Sequence, residues 1–144
     1  MFSKACEYGI RASIYVAGQS LADERASLKD IARAIDSPVA FTAKILQQLT
    51  KSDVMHSVMG PTGGFAIEKK KLKRIKLNHV VDAIDGDAIY RGCGLGLSAC
   101  NARRPCPVHD QFARIRDDLQ KMLETTNLYE LATGLKGELT FLRR

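Results

Sequence analysis

The sequence predicts a mainly α-helical fold with one small β-hairpin wing: a winged helix-turn-helix followed by a long C-terminal dimerisation helix. Three observations carry that expectation. Apolar residues recur at spacings of three and four through most of residues 1–51. A turn rich in glycine, Gly60-Pro61-Thr62-Gly63-Gly64, separates two short apolar runs. A second helical period then returns after an irregular stretch that carries cysteines.

The first helix is expected from about Ser3 to Leu21, because Phe2, Cys6, Ile10, Ile14, Ala17 and Leu21 fall on one face. Ser27-Leu28-Lys29-Asp30 reads as a capping signal with Ser27 at the N-cap. The short helix after it buries Leu28, Ile31, Ala32 and Ile35, and a tight turn follows at residues 34–37. Ser37-Pro38 opens a third helix, with a hydroxyl cap and a proline where no amide hydrogen is needed. Its Phe41, Ile45, Leu46 and Leu49 face inward; Ala40, Ala43, Lys44, Gln47 and Lys51 face out. Residues 54–59 and 65–67 read as the two strands of a hairpin. Asn78 is placed as the cap of a helix through Ile84, and residues 85–107 as an irregular loop. From Pro107 to about Thr125, Val108, Phe112, Ile115, Leu119 and Met122 form the seam of a paired helix. Asn127 and Glu130 offer a capping box for a last helix holding Leu128, Leu131 and Leu135. The chain thus divides into a DNA-binding part (1–78), a connecting helix and cysteine loop (79–107), and a dimerisation and C-terminal helix region (108–144).

Composition narrows the class. At 144 residues, 45% hydrophobic and 26% charged, the chain has the make-up of one globular domain. It has no uncharged apolar run long enough for a membrane span, and Glu7 and Arg11 interrupt what a secretion signal would need. The expectation is a soluble, cytoplasmic chain with no membrane partner. The net charge of +6 is confined to one half: residues 1–78 hold 13 Lys and Arg against 7 Asp and Glu, and residues 79–144 hold 9 against 9. That asymmetry points to an anionic partner on the first half, double-stranded DNA foremost. The candidate contacts are Ala40, Thr42, Lys44, Gln47 and Lys51 on the third helix and Ser57, Pro61, Thr62 and Gly63 on the wing. Lys69, Lys70 and Lys71 behind the wing are placed to neutralise phosphates. No nucleophile–base pairing or phosphate loop is present, so an enzyme is not expected.

Cys93, Cys100 and Cys106 lie in the loop with spacing C-x6-C-x5-C, and His109 follows. Cys6 stands apart and reads as a small core residue, while His56 and His79 have no cysteine nearby and read as structural. A loop of this composition buries little apolar surface, so something else must offset its ordering entropy. A metal centre would do so. Zinc knuckles prefer closer ligand pairs than these cysteine gaps, although Cys106 and His109 are close; thiolates equally hold iron–sulfur clusters. Three free thiols acting as a redox switch are the third option. A small electron-transfer protein could use the same cluster but would not need the lysines or the glycine wing.

The arrangement resembles the IscR/NsrR-type family of bacterial winged-helix regulators over nearly its full length. The resemblance rests on Lys4 and Glu7-Tyr8-Gly9, the helix-turn-helix at 27–51, the wing Gly60-Pro61-Thr62-Gly63-Gly64-Phe65, the three cysteines, the amphipathic helix after them and Asn127-Leu128-Tyr129-Glu130-Leu131. It implies a homodimer on a pseudo-palindromic operator, controlled by a 2Fe–2S or 4Fe–4S cluster that senses redox state, nitric oxide or cluster supply. Cys93, Cys100 and Cys106 match the cluster cysteines, and Glu7 (from the other subunit) and His109 are the two candidates for the fourth ligand. The first cysteine gap is six residues where five is commoner. Where many members carry an arginine before the Gly-Pro pair, this chain has Met59.

Overall fold

The computed structural model describes residues 1–134 and Leu142. The order is α1 (Lys4–Leu21), α2 (Leu28–Ala34), α3 (Val39–Lys51), β1 (His56–Val58), β2 (Gly64–Ala66), α4 (Leu77–Ile84), α5 (Ala88–Arg91), α6 (His109–Thr125) and α7 (Leu128–Gly134). β1 and β2 pair antiparallel with Ser57 opposite Phe65. This is the winged helix-turn-helix expected from the sequence, followed by the long helix. Among the described residues no helix is long and apolar enough to cross a membrane.

Local chemistry sets the helix boundaries. Ser3 caps α1 by accepting from the Cys6 amide at 3.0 Å, and Ser27 caps α2 through Asp30 at 3.1 Å. α1, α2 and α3 each end on an aspartate with positive φ: Asp23 (58°), Asp36 (54°) and Asp53 (60°). After each one the chain closes the same way, with the next amide donating back to Gln19, Ala32 or Leu49 at 2.9 Å. Glycine is the usual residue there; aspartate is one of the few side chains that tolerates it.

Two expected caps are corrected. The N-cap of α3 is Pro38, with no side-chain cap, because the Ser37 hydroxyl is paired with Thr42 Oγ1 instead. The N-cap of α4 is Lys76 rather than Asn78, and His79 Nδ1 accepts the Lys76 amide at 2.9 Å. Asn78 Oδ1 is left buried without a partner.

α1 is the spine of the core. It packs against α2, α3, α4, α7 and β2, and Ile31, Ile45, Leu46, Leu49, Leu72, Val80 and Leu128 are fully buried around it. A smaller cluster of Cys6, Leu77, Val81 and Leu123 joins α1, α4 and α6. Cys6 is fully buried, as a core residue should be. α7 is stitched back by amide bonds from Leu128 to Ile75 and from Tyr129 to Leu72. Asn127 Oδ1 accepts the Glu130 amide at 2.8 Å, the cap expected there, while Leu135 lies outside the described residues.

At Gly9, α1 lies directly against Ile84 of α4. A Cβ on that glycine would sit 2.1 Å from Ile84 Cδ1 and 3.4 Å from Ile45 Cγ2. Gly9→Val is expected to lower unfolding free energy by about 1–3 kcal/mol through this overpacking, read as a drop in thermal midpoint.

Candidate nucleic-acid interface and thiol cluster

The amphipathic period of α3 buries Ile45, Leu46 and Leu49 and leaves its opposite face to solvent. Ala40, Lys44, Gln47 and Lys51 are exposed, and so are Ser57, Pro61 and Thr62 on the wing, with Gly63 half-buried beneath them. Thr42 is not part of this surface. It is fully buried on the face of Ile45 and Leu46, and its hydroxyl donates to the Pro38 carbonyl at 2.8 Å. The expectation that Thr42 contacts DNA is therefore corrected: it fixes the first turn of α3 from inside.

The wing is a closed turn. Gly60 has φ +103°, and the Gly63 amide donates to the Gly60 carbonyl at 3.0 Å. The tip is tied to the α1–α2 connection, where Arg25 Nη1 donates to the Thr62 carbonyl at 3.2 Å and Ala26 and Phe65 exchange both backbone bonds. Arg25 was not legible as an anchor; being charged and next to a capping signal, it reads as surface.

Behind the wing, Lys69, Lys70 and Lys71 form a single 3-10 turn. Each carries an acid partner: Asp23 at 2.8 Å, Glu68 at 3.3 Å and Asp53 at 3.5 Å respectively. Exposed pairs of this kind are weak and can be exchanged for phosphate. Replacing the three lysines with alanine is expected to flatten the slope of log affinity against log salt by less than the roughly 0.9 per contact of an unpaired cation. Titration of a duplex at several salt concentrations measures it; no change in slope would remove these lysines from the interface.

The cysteine loop folds back on α6. The only regular piece in residues 85–107 is α5, which the glycine-rich sequence hid. Arg116 Nη2 donates to Cys100 Sγ at 3.0 Å, and a second nitrogen of the same guanidinium donates to the Gly92 carbonyl. His109 Nδ1 lies 3.4 Å from Cys100 Sγ. The Leu95 amide donates to Cys93 Sγ at 3.4 Å, and the backbone amides of Leu95 and Leu97, then the neighbouring Cys106 side chain and the charge of Arg116, hold the Cys93 thiol below the ordinary range. Gly94 lies flat on the Phe112 ring, so a Cβ there would sit 2.4 Å from the ring. The loop thus makes two separate pairings, Cys93 near Cys106 and Cys100 with His109, with the Arg116 charge acting on both. Among the described residues no three His, Cys, Asp or Glu side chains stand in a ready metal-binding group. Glu7 is exposed on α1 and paired with Lys4 at 3.7 Å.

Arg116 is the residue that sequence reading missed. Its signal was its position two turns after His109 on the same helix face. Burial, with help from Asp85, pushes the Cys6 thiol in the core from 9.0 up to about 12. At neutral pH a lowered pKa means more thiolate and a raised one almost none. Iodoacetamide is therefore expected to label Cys93 well before Cys6 in reduced, metal-free protein, followed peptide by peptide by mass spectrometry. Equal rates would contradict the electrostatics described.

Residues 2–134 match the Rrf2 family, described as iron-dependent transcriptional regulators. An HTH-type transcriptional regulator of Aquifex aeolicus is 31% identical over 134 residues, covering 91% of this chain and 90% of that protein. In structure, the chain is similar to CymR, the global cysteine regulator of B. subtilis (TM-score 0.73, 19% identity, 92% of this chain and 96% of that one). It is equally similar to IscR of T. potens (TM-score 0.73, 17% identity, 97% and 91%).

Proposed function

This chain belongs to the Rrf2 family of transcriptional regulators, DNA-binding proteins rather than enzymes, and from that premise we propose that it is a homodimeric regulator whose grip on a pseudo-palindromic operator is set by an iron–sulfur cluster. The observation that supports the cluster is that the one loop carrying Cys93, Cys100 and Cys106 folds back on α6 so that Arg116 donates to Cys100 and its charge also acts on Cys93. Three soft thiols with a guanidinium to offset their negative charge are a donor set suited to such a cluster. His109, already beside Cys100, is the fourth donor available within the same chain. Glu7, exposed on α1, is the other candidate, reaching from the partner subunit.

The cluster, when bound, supplies a centre that redox change, nitric oxide or iron shortage can alter. The protein's own residues supply the rest. Arg116 holds Cys100 and the Gly92 carbonyl together, and Gly94 lets the loop lie on Phe112. Ile115 and Met122 are 57% and 46% exposed on α6. Covering these apolar side chains with a second α6 would form the dimer and relate two α3 helices by a two-fold axis. Change in the loop is then felt at the interface that spaces the two recognition helices.

The test is an anaerobic purification with iron and sulfide analysis, visible and resonance Raman spectra, and duplex binding by loaded and stripped protein. Iron with matching sulfide and a binding difference of about 5- to 150-fold are expected. A colourless protein holding zinc or nothing would end the cluster reading.

The neighbouring position of Cys106 beside Cys93, whose thiol is lowered, supports a second reading within the same class: a thiol switch. Peroxide would oxidise the two thiols to one disulfide, leaving two waters. A Cys93–Cys106 disulfide in peroxide-treated, iron-free protein, with altered DNA affinity, would favour it. The neighbour CymR, a cysteine regulator by its description, is compatible with this reading.

A further inference from the structure

The tip of the wing presents one side chain that the contacts above do not use. Met59 is 91% exposed, the most exposed large apolar side chain among the described residues. Residues 59–64 carry no charge, so the tip has no cation of its own to place in a minor groove. Nor is Met59 on a loose loop. The turn is closed by the bond from the Gly63 amide to the Gly60 carbonyl, tied down through Arg25 and Thr62, and paired through Ala26 and Phe65. A Cβ on Gly63 would lie 2.0 Å from the Val58 carbonyl oxygen, so the backbone beneath Met59 is packed without slack.

We propose that Met59 is a wedge that inserts its thioether chain between adjacent bases at the minor groove, making the wing a reader of DNA deformability. The proposal rests on the DNA-binding reading and adds what the wing recognises. An unbranched, polarisable side chain is slim enough to enter between bases and gains by leaving water. Apolar wedges of this type unstack a step and bend the duplex towards the major groove. The cost of unstacking depends on sequence and is lowest at pyrimidine–purine steps such as TA and CA. A fixed apolar tip therefore selects flexible steps at the wing positions, whereas an arginine there would select stiff, narrow A-tracts.

Selection of bound duplexes from a randomised library by the full-length protein, Met59→Ala and Met59→Arg tests this. The native protein is expected to enrich TA or CA steps at the two outer, wing positions, and Met59→Arg to replace them by A-tracts. Met59→Ala should lose the step preference and bind the native selection about tenfold more weakly. 2-Aminopurine placed at the enriched step should brighten on binding native protein and stay dark with Met59→Ala. If all three proteins enrich the same wing sequence and the fluorophore stays dark with each, Met59 is not a wedge, while DNA binding stands. If none enriches any sequence, the DNA-binding reading fails and the wedge with it.

Discussion

Cys100→Ala is expected to leave the protein unable to retain iron while the winged helix stays folded. Cys100 is touched by Arg116 at 3.0 Å and by His109 at 3.4 Å. Removing its sulfur takes away one thiolate donor and leaves the Arg116 guanidinium, whose Nε is already buried without a partner, facing an empty position. Arg116 is half-buried and would keep only the Gly92 carbonyl as a partner among the described residues, so the loop should loosen from α6 as well. The core around α1 does not include Cys100, and far-UV circular dichroism should be almost unchanged. Iron analysis and the visible spectrum read the first effect; protease sensitivity of residues 92–106 reads the second. Iron retained at the native level would remove Cys100 from the ligand set.

Gly63→Val should reduce operator affinity about a hundredfold or more, the second large effect. A Cβ at this position meets the Val58 carbonyl oxygen at 2.0 Å, the Gly60 carbonyl oxygen at 2.9 Å and the Met59 carbonyl carbon at 3.0 Å. All are backbone atoms that cannot rotate away, so the turn itself must open. Opening it releases the bonds that join Gly63 to Gly60 and Arg25 to Thr62 and swings the wing off the groove it is proposed to enter. In the proposed dimer, losing one of two contact elements on each subunit would amount to several mismatched base pairs at about 1–3 kcal/mol each. The hairpin adds little to the core, so the thermal midpoint should fall by only a few degrees. Unchanged affinity would mean that the wing does not touch DNA.

What could be read in advance, and what could not, follows from the range of the forces involved. Ser3, Ser27 and the apolar period of α3 act within a few residues, and their helices lie where periodicity places them. Ser37 looks like an equally good cap, but its hydroxyl is claimed by Thr42, five residues on. Thr42 was misplaced for the same reason. A threonine between Phe41 and Ala43 reads as polar and outward, and only the turn's packing shows its hydroxyl satisfied from within. The three cysteines stand out in the sequence because one loop carries them all. Arg116 and Gly94, which hold the loop to α6, do not, because neither has a chemical signature until Cys100 and Phe112 are beside it.

The paired lysines behind the wing bear on how such a protein finds its site. A turn of three bare cations would adhere to any stretch of DNA, and a regulator must pass over a vast excess of wrong sequence. Asp23, Glu68 and Asp53 occupy those cations in the unbound protein. Two of the three are also the left-handed residues that end α1 and α3, so the acids are held where the helices stop. If these lysines meet phosphate, each random encounter would have to displace an internal rival for little net gain, and residence on irrelevant DNA would shorten. Where α3 and the wing find their own contacts, the exchange is carried along with them. The same aspartates that end the helices would thus quicken the search.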